Sequence, residues 1–127
     1  ALELASWIEN NYPDIRVNYP GLCSSKWHEI AKKQLTNGYG AILTIRVGSK
    51  EKAFKFIDSL TISYTLSNIG DTKTLVIHPG STISLHSTDK QKEDAGVFED
   101  LIRVSVGIED IDDLKEDFAQ AFANIAD

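Results

Sequence analysis

The sequence predicts an α/β sandwich of two layers, in which a sheet of about four mostly antiparallel strands is covered on one face by helices. Residues 41–47 and 101–106 each carry one wholly apolar face at every second position, as a half-buried strand does. Residues 50–60 and 111–125 repeat apolar side chains every three or four positions, as a helix with one buried face does. No linker or shift in composition divides the chain, so residues 1–127 are predicted to form a single domain.

The chain opens with a predicted helix over residues 1–11. Leu4, Trp7 and Ile8 fall at helical spacing, and Pro13 cannot continue the pattern. Because this pattern is already running at the first residue and the sequence contains no methionine, we expect the native polypeptide to start further upstream.

A second helix is predicted after an extended stretch at residues 15–19 and a Pro-Gly turn. Ser24 or Ser25 can cap its first turn, and the helix ends before Gly38. We expect its apolar side chains to point into the core: Trp27, Ile30, Ala31 and Leu35.

The middle of the chain predicts one further helix and two short strands. Ser49 can cap a helix with a single buried stripe, made of Ala53, Phe56, Ile57 and Leu60. Strands are predicted around residues 62–66 and 75–78, separated by the turn-prone residues 68–71. Residues 79–96 are polar and predict a loop with at most a short helix.

The last strand, residues 101–106, alternates cleanly and ends at Gly107. Its polar face carries Arg103 and Ser105. The apolar stripe of the last helix is predicted to hold Ile111, Leu114, Phe118, Ala121 or Phe122, and Ile125. The acidic residues between 109 and 113 stand at the positive end of this helix, which explains them without a metal.

Charge and composition exclude several partners. The formal charge of -6, with no cluster of basic residues, argues against nucleic-acid binding. No apolar run approaches the ~20 residues that span a bilayer, so no membrane segment is predicted. Cys23 is the only cysteine and is predicted to be a small buried side chain; without a disulfide, a reducing cytoplasm fits best.

Few residues are candidates for chemistry. His28, His78 and His86 lie far apart in the sequence and are predicted to be structural or to face solvent. No glycine-rich phosphate loop and no zinc-ligand spacing is present. Arg103 stands out, because a guanidinium on a rigid strand can present a planar fork to a carboxylate; a solvated strand face is the ordinary alternative.

Four segments together resemble one family. They are Asn-Tyr-Pro-Gly-Leu at 18–22, Gly-Tyr-Gly-Ala at 38–41, the run from Asn-Ile-Gly-Asp to His-Pro at 68–79, and Leu-Ile-Arg-Val-Ser-Val-Gly-Ile-Glu-Asp at 101–110. This pattern is similar to the C-terminal small domain of the Cys/Met metabolism pyridoxal-phosphate (PLP) enzymes, which are of fold type I. Within that family, Asn-Ile-Gly-Asp looks more like the O-acetylhomoserine sulfhydrylases than the cystathionine enzymes, which tend to carry Ser-Leu-Gly-Gly there.

The resemblance implies a substrate-binding set of Arg103, Asn68 and Thr82. The family's arginine at the position of Arg103 grips the α-carboxylate of the amino acid substrate, and the position of Asn68 lines the same pocket. Thr82 follows the family's His-Pro-x-Ser pattern near the active site, although Gly80 replaces a common alanine. The Schiff-base lysine and the other PLP-binding residues of such enzymes belong to a preceding large domain, so no catalytic, cofactor-binding or metal residue is predicted here.

The function implied is that of an O-acetylhomoserine sulfhydrylase, which replaces acetate with sulfide or methanethiol to make homocysteine or methionine. The full-length enzyme would contain PLP and assemble as a homodimer or homotetramer, whereas this chain alone would bind no cofactor and be inactive. The alternatives are the same domain of a cystathionine γ-lyase, cystathionine γ-synthase or methionine γ-lyase, or a free-standing amino-acid-binding module.

Overall fold

The computed structural model describes residues 1–126 and contains one mixed five-stranded sheet. Its helices are α1 (Leu2–Asn11), α2 (His28–Gln34), α3 (Lys50–Ser59), α4 (Asp89–Asp94) and α5 (Ile111–Ile125), with a single 3₁₀ turn at Pro79–Ser81. Its strands are β1 (Arg16–Asn18), β2 (Ile42–Arg46), β3 (Tyr64–Thr65), β4 (Leu75–Ile77) and β5 (Leu101–Ser105). The α/β class predicted from the sequence is confirmed.

The strands lie in the order β1-β2-β5-β4-β3, and every pair is antiparallel except β3 with β4. The prediction of about four strands was one short. The extended stretch before Tyr19 is itself an edge strand, in which Val17 pairs with Ile45 of β2. Three residues are too few to show an alternating pattern, so the sequence could not reveal this strand.

The core lies between the sheet and the layer of α1, α3 and α5. One face of the sheet contributes Leu43, Ile45, Val76, Ile102 and Val104, all of them fully buried. The helices contribute, among others, Phe56, Phe118 and Phe122, whose rings contact one another at centroid distances of 4.8–6.2 Å. The predicted stripes of α3 and α5 are therefore confirmed, and the Ser49 hydroxyl caps α3 by accepting the Lys52 N–H at 3.2 Å.

The prediction for the second helix was wrong in two respects. α2 begins at His28 with no side-chain cap, and the Ser25 hydroxyl accepts only the Trp27 N–H just before it. Trp27, Ile30 and Leu35 are each about half exposed, so only Ala31 is buried. Spacing along a helix shows which side chains share a face, but not whether another element covers that face.

The buried carboxylate of Asp117 joins α5 to the segment that follows α3. It accepts the backbone N–H groups of Thr61, Ile62 and Ser63 and the hydroxyls of Thr61 and Ser63, at 2.6–3.2 Å. Burial alone would raise the pKa of Asp117, but these hydrogen bonds outweigh burial and lower it. The ionised form of Asp117 is therefore part of the folded structure.

We predict that Asp117→Asn lowers the free energy of unfolding of this chain by about 1–3 kcal/mol near neutral pH, because the Asn amide turns an N–H donor toward N–H groups that now donate to the carboxylate. The lowered pKa means that this stabilisation is present above the ordinary Asp range and is lost as pH falls through the folded-state value. Urea unfolding at about pH 6 and about pH 2 should show the two proteins converging in acid. Exposed Glu116→Gln is the matched control, and an equally destabilised control would contradict the role of Asp117.

Candidate functional site

Arg103 lies at the middle of β5, the central strand of the sheet. It pairs with Thr44 of β2 on one side and with Ile77 of β4 on the other, so these three side chains share one face. This face is opposite the helices, because Leu75 and Ile77 are buried yet do not belong to the core between sheet and helices. The guanidinium is thus mounted on the most constrained strand and on the face that carries no layer of long helices.

The guanidinium is only partly satisfied within the described residues. Its Nη2 donates to the carbonyl oxygen of Ser67 at 2.6 Å and to that of Asn68 at 3.4 Å. Its Nε is buried and has no acceptor among residues 1–126. A buried donor without an acceptor costs about 1–3 kcal/mol. An oxygen ligand that accepted a hydrogen bond from this donor would therefore be stabilising.

The segment from Ser67 to Thr74 crosses the polar face of β5 and is tied to it at successive points. Gly70 N–H donates to the Ser105 hydroxyl at 3.1 Å, and the Thr72 carbonyl accepts the Ile108 N–H at 2.9 Å. We call residues 67–74 the overlying loop. Residues 67–73 are exposed and bury little apolar surface. The hydrogen bonds are therefore the main contacts that hold the loop in place.

Glu109 fastens the end of the overlying loop. Its carboxylate accepts both the N–H and the hydroxyl of Thr74, at 2.6 and 2.8 Å, and Thr74 is completely buried. The Thr74 hydroxyl in turn accepts the Gly107 N–H at 2.9 Å. Of the acidic cluster predicted to sit at the start of α5, Asp110 caps the helix through the Asp112 N–H, whereas Glu109 serves the loop.

Gly107 allows the loop to come this close. A Cβ atom at this position would lie 2.3 Å from the Thr72 carbonyl oxygen and 2.5 Å from the Lys73 carbonyl carbon, which backbone atoms cannot accommodate. The end of β5 and the overlying loop therefore touch backbone to backbone. The alternation along the strand predicts only that Gly107 ends it, and the close contact with the loop leaves no mark in that pattern.

The three predicted site residues are placed differently. Arg103 and Asn68 are brought together, but it is the Asn68 backbone carbonyl, not its side chain, that reaches the guanidinium. Thr82 is exposed, and its hydroxyl donates to the His78 carbonyl at 2.8 Å within its own turn. The contact with Ser67 was missed, because a backbone carbonyl leaves no signal in side-chain type.

The remaining titratable residues are structural or exposed. His78 is buried, with Nδ1 2.8 Å from the Ser81 hydroxyl oxygen and Nε2 2.8 Å from the Glu99 carbonyl oxygen. Cys23 is exposed, so the expectation of a buried thiol was wrong. Residues 1–126 contain no group of His, Cys, Asp and Glu able to hold a metal, and no helix among them is long and apolar enough to cross a bilayer.

The residues that the structure describes do not form a binding site for PLP. None of the lysines among the described residues is buried, whereas a lysine that forms a Schiff base is activated by desolvation or by a neighbouring cation. The two aspartates that are buried among residues 1–126 already accept hydrogen bonds, Asp117 from residues 61–63 and Asp100 from the Gly48 N–H and the Arg46 guanidinium. Residues 1–126 thus present a guanidinium with unused donors, and none of their lysines or buried aspartates is free to bind PLP.

Comparison with known proteins identifies the class. The family model of the Cys/Met metabolism PLP-dependent enzymes matches residues 1–123, and the chain belongs to this family. The chain is 48% identical over 122 residues to the homocysteine synthase of Schizosaccharomyces pombe, covering 95% of this chain and 28% of that protein. It is 41% identical over 124 residues to the O-succinylhomoserine sulfhydrylase of Pseudomonas aeruginosa, covering 97% of this chain and 30% of that protein.

A solved structure of similar fold is described as an enzyme of the same kind. The fold superimposes with a TM-score of 0.90 on a Campylobacter jejuni protein described as an O-acetylhomoserine (thiol)-lyase, which carries a pyridoxyl-lysine monophosphate. The two are 34% identical, and the match covers 95% of this chain but 29% of that one. The chain therefore spans about three-tenths of the length of the enzymes it matches.

We predict that Glu109→Ala destabilises the chain by about 1–3 kcal/mol, because two donors of the buried Thr74 lose their acceptor. Glu93→Ala, an exposed carboxylate on α4, should change the free energy of unfolding by less than about 0.5 kcal/mol. Urea unfolding of both variants measures the difference. Equal stabilities of the two variants would mean that Glu109 does not fasten the overlying loop.

Proposed function

We propose that residues 1–127 form the C-terminal, substrate-positioning domain of a PLP-dependent O-acetylhomoserine sulfhydrylase. The full-length enzyme replaces the acetate of O-acetylhomoserine with sulfide or methanethiol and releases homocysteine or methionine. The names of the relatives support this reaction, since they are a homocysteine synthase, a homoserine-ester sulfhydrylase and an O-acetylhomoserine (thiol)-lyase. PLP supplies the electron-withdrawing chemistry and is bound by a large N-terminal domain outside this chain.

The observation that supports this role is the incomplete hydrogen bonding of Arg103. A guanidinium has five N–H donors in one plane, and the overlying loop engages only those of Nη2. A substrate α-carboxylate is the acceptor that matches the remaining donors in charge and in its two-oxygen geometry. Arg103 would thereby fix the position of the amino acid relative to the cofactor, which lowers the entropic cost of reaching the transition state.

Asn68 and Thr82 complete the proposed substrate-binding set. Asn68 lies beside Arg103 and its side chain is exposed, so it can line the same pocket. Thr82 is exposed at the turn that follows β4, the strand paired with Arg103. Both side chains are neutral hydrogen-bonding groups, suited to a substrate whose side chain carries a polar ester rather than a second carboxylate.

The partners we propose follow from the same role. The domain works with its own N-terminal PLP domain, in an enzyme that assembles as a homodimer or homotetramer in the cytoplasm. The net charge of -6 is unfavourable for a nucleic-acid partner. Without the large domain, the chain holds a carboxylate clamp and no reactive group, so it is inactive alone.

The resemblance to an O-succinylhomoserine sulfhydrylase supports one second candidate, an enzyme that accepts the succinyl ester. The two substrates differ by one carboxylate, so a succinyl-specific site needs a second cation besides Arg103. Comparing kcat/KM for the two esters in the full-length enzyme decides between them. The lyases of the family would instead release an α-keto acid and ammonia, which the same assay can detect.

We predict that Arg103→Ala in the full-length enzyme lowers kcat/KM by about 100-fold, the equivalent of a lost charge-assisted pair worth a few kcal/mol. Arg103→Lys keeps the charge but not the fork, so it should recover only part of that loss. Arg16→Ala, at an exposed position on the edge strand β1, is the matched control and should keep wild-type kinetics. Near-normal kcat/KM in Arg103→Ala would refute the carboxylate site.

We also predict that an antibody against this domain detects, in its source cells, a protein several times larger than the 127-residue chain. The reason is that the chain spans about three-tenths of its relatives. A band at the size of the chain itself would favour the free-standing amino-acid-binding module. In that case, equilibrium dialysis of the chain with O-acetylhomoserine, without PLP, becomes the decisive measurement.

A further inference from the structure

Ser105 shares the polar face of β5 with Arg103. The two residues are separated by one position, so they point to the same side of the strand. Ser105 is 1% exposed and lies between its partners Ile42 of β2 and Leu75 of β4. A small polar side chain buried at the centre of a sheet needs a hydrogen-bonding reason to be there.

The hydrogen bond of Ser105 is made to the overlying loop rather than to its own strand. Its hydroxyl oxygen accepts the N–H of Gly70 at 3.1 Å. Gly70 has φ +72, a left-handed conformation at which the loop turns back toward β4. The bond therefore holds the loop at its turning point.

Two and three residues before Gly70 stand the carbonyl groups of Asn68 and Ser67, which accept from Arg103 Nη2. Arg103 and Ser105, on the same face of β5, thus both form hydrogen bonds with the backbone of residues 67–70. Because the loop is exposed from residue 67 to 73, few apolar contacts resist its movement. The Ser105 bond, together with the hydrogen bonds of Thr72 and Thr74 further along the loop, constrains the two carbonyls and through them the orientation of the guanidinium.

From this geometry we propose that Ser105 is a positioning residue for Arg103: it fixes the Ser67–Asn68 carbonyls that hold the guanidinium in place for the substrate carboxylate. The inference rests on the proposed function, since it assumes that Arg103 binds that carboxylate. Ser105 does not touch the substrate in this role. Its loss leaves the guanidinium present but able to occupy several rotamers, so binding weakens at an unchanged charge.

The test measures carboxylate recognition rather than activity alone. In the PLP-loaded full-length enzyme, kcat/KM is determined for O-acetylhomoserine and for its carboxamide, in which a neutral amide replaces the carboxylate. The ratio of the two values reports how strongly the enzyme prefers the carboxylate. We expect Ser105→Ala to lower this ratio about tenfold, as the loss of one buried hydrogen bond would, chiefly through KM.

Two further variants separate positioning from general damage. Ser105→Thr keeps the hydroxyl and should keep the wild-type ratio. Ser105→Cys replaces the hydroxyl with a slightly larger thiol that is a weaker acceptor, and it should give an intermediate ratio even if the alanine variant does not fold. Ser59→Ala removes a hydroxyl that donates to the Lys55 carbonyl on the helical side of the domain, and should leave the ratio unchanged.

The outcomes distinguish the two levels of inference. A wild-type ratio in Ser105→Ala or Ser105→Cys, beside a lowered ratio in Arg103→Ala, overturns the positioning role and leaves the proposed function standing. An unchanged ratio in Arg103→Ala removes the carboxylate site, and the role of Ser105 with it. A ratio lowered as much by Ser59→Ala as by Ser105→Ala would show a general effect of losing a hydroxyl and would also overturn the proposal.

Discussion

The alternation of side chains along β5 is the constraint on which both faces of the domain depend. Ile102 and Val104 point into the core and are completely buried, while Arg103 and Ser105 point to the opposite face and hold the overlying loop. β5 is hydrogen-bonded to β2 and β4 along both edges, so neither set can shift independently. A slip of one residue would exchange core and site in a single step, which makes the register of this strand stringent.

Carboxylates organise the connections around that strand. Asp100 joins the end of β2 to the start of β5, and Glu109 fastens the overlying loop. Asp117 accepts hydrogen bonds from the segment that follows α3. In each case the carboxylate accepts at least one backbone N–H from a segment distant in the sequence, besides side-chain donors. Part of the excess of acidic residues is therefore structural. The backbone N–H groups of irregular segments have no carbonyl partner in a helix or a sheet, and these carboxylates accept their hydrogen bonds instead.

The sequence predicted the parts of the fold that depend on local periodicity. The helices α3 and α5 and the strands β2 and β5 repeat their apolar residues long enough to be recognised. The exposure of Trp27, just before α2, and the short strand β1 could not be predicted, because burial and strand pairing depend on which distant segments pack beside them.

The candidate site divides in a similar way. Arg103 could be singled out, since a lone arginine among apolar residues on a strand is conspicuous, and the family resemblance gave it a role. The carbonyl of Ser67 and the hydrogen bond between Ser105 and Gly70 could not, because each joins residues more than 30 positions apart through backbone atoms. Sequence patterns record the types of side chains and are silent about long-range backbone contacts.

The Nε of Arg103 is buried without a hydrogen-bond acceptor among residues 1–126, and this has a consequence for how such a domain can evolve. Native sequences are largely free of internal conflict, and a donor left without an acceptor at the centre of a sheet is a point of local frustration. Selection for folding alone would remove it, since an apolar residue on that strand carries no such cost. Arg103 is thus a position at which stability alone would favour a different side chain, so the effects of substituting it on stability and on ligand binding can be measured separately.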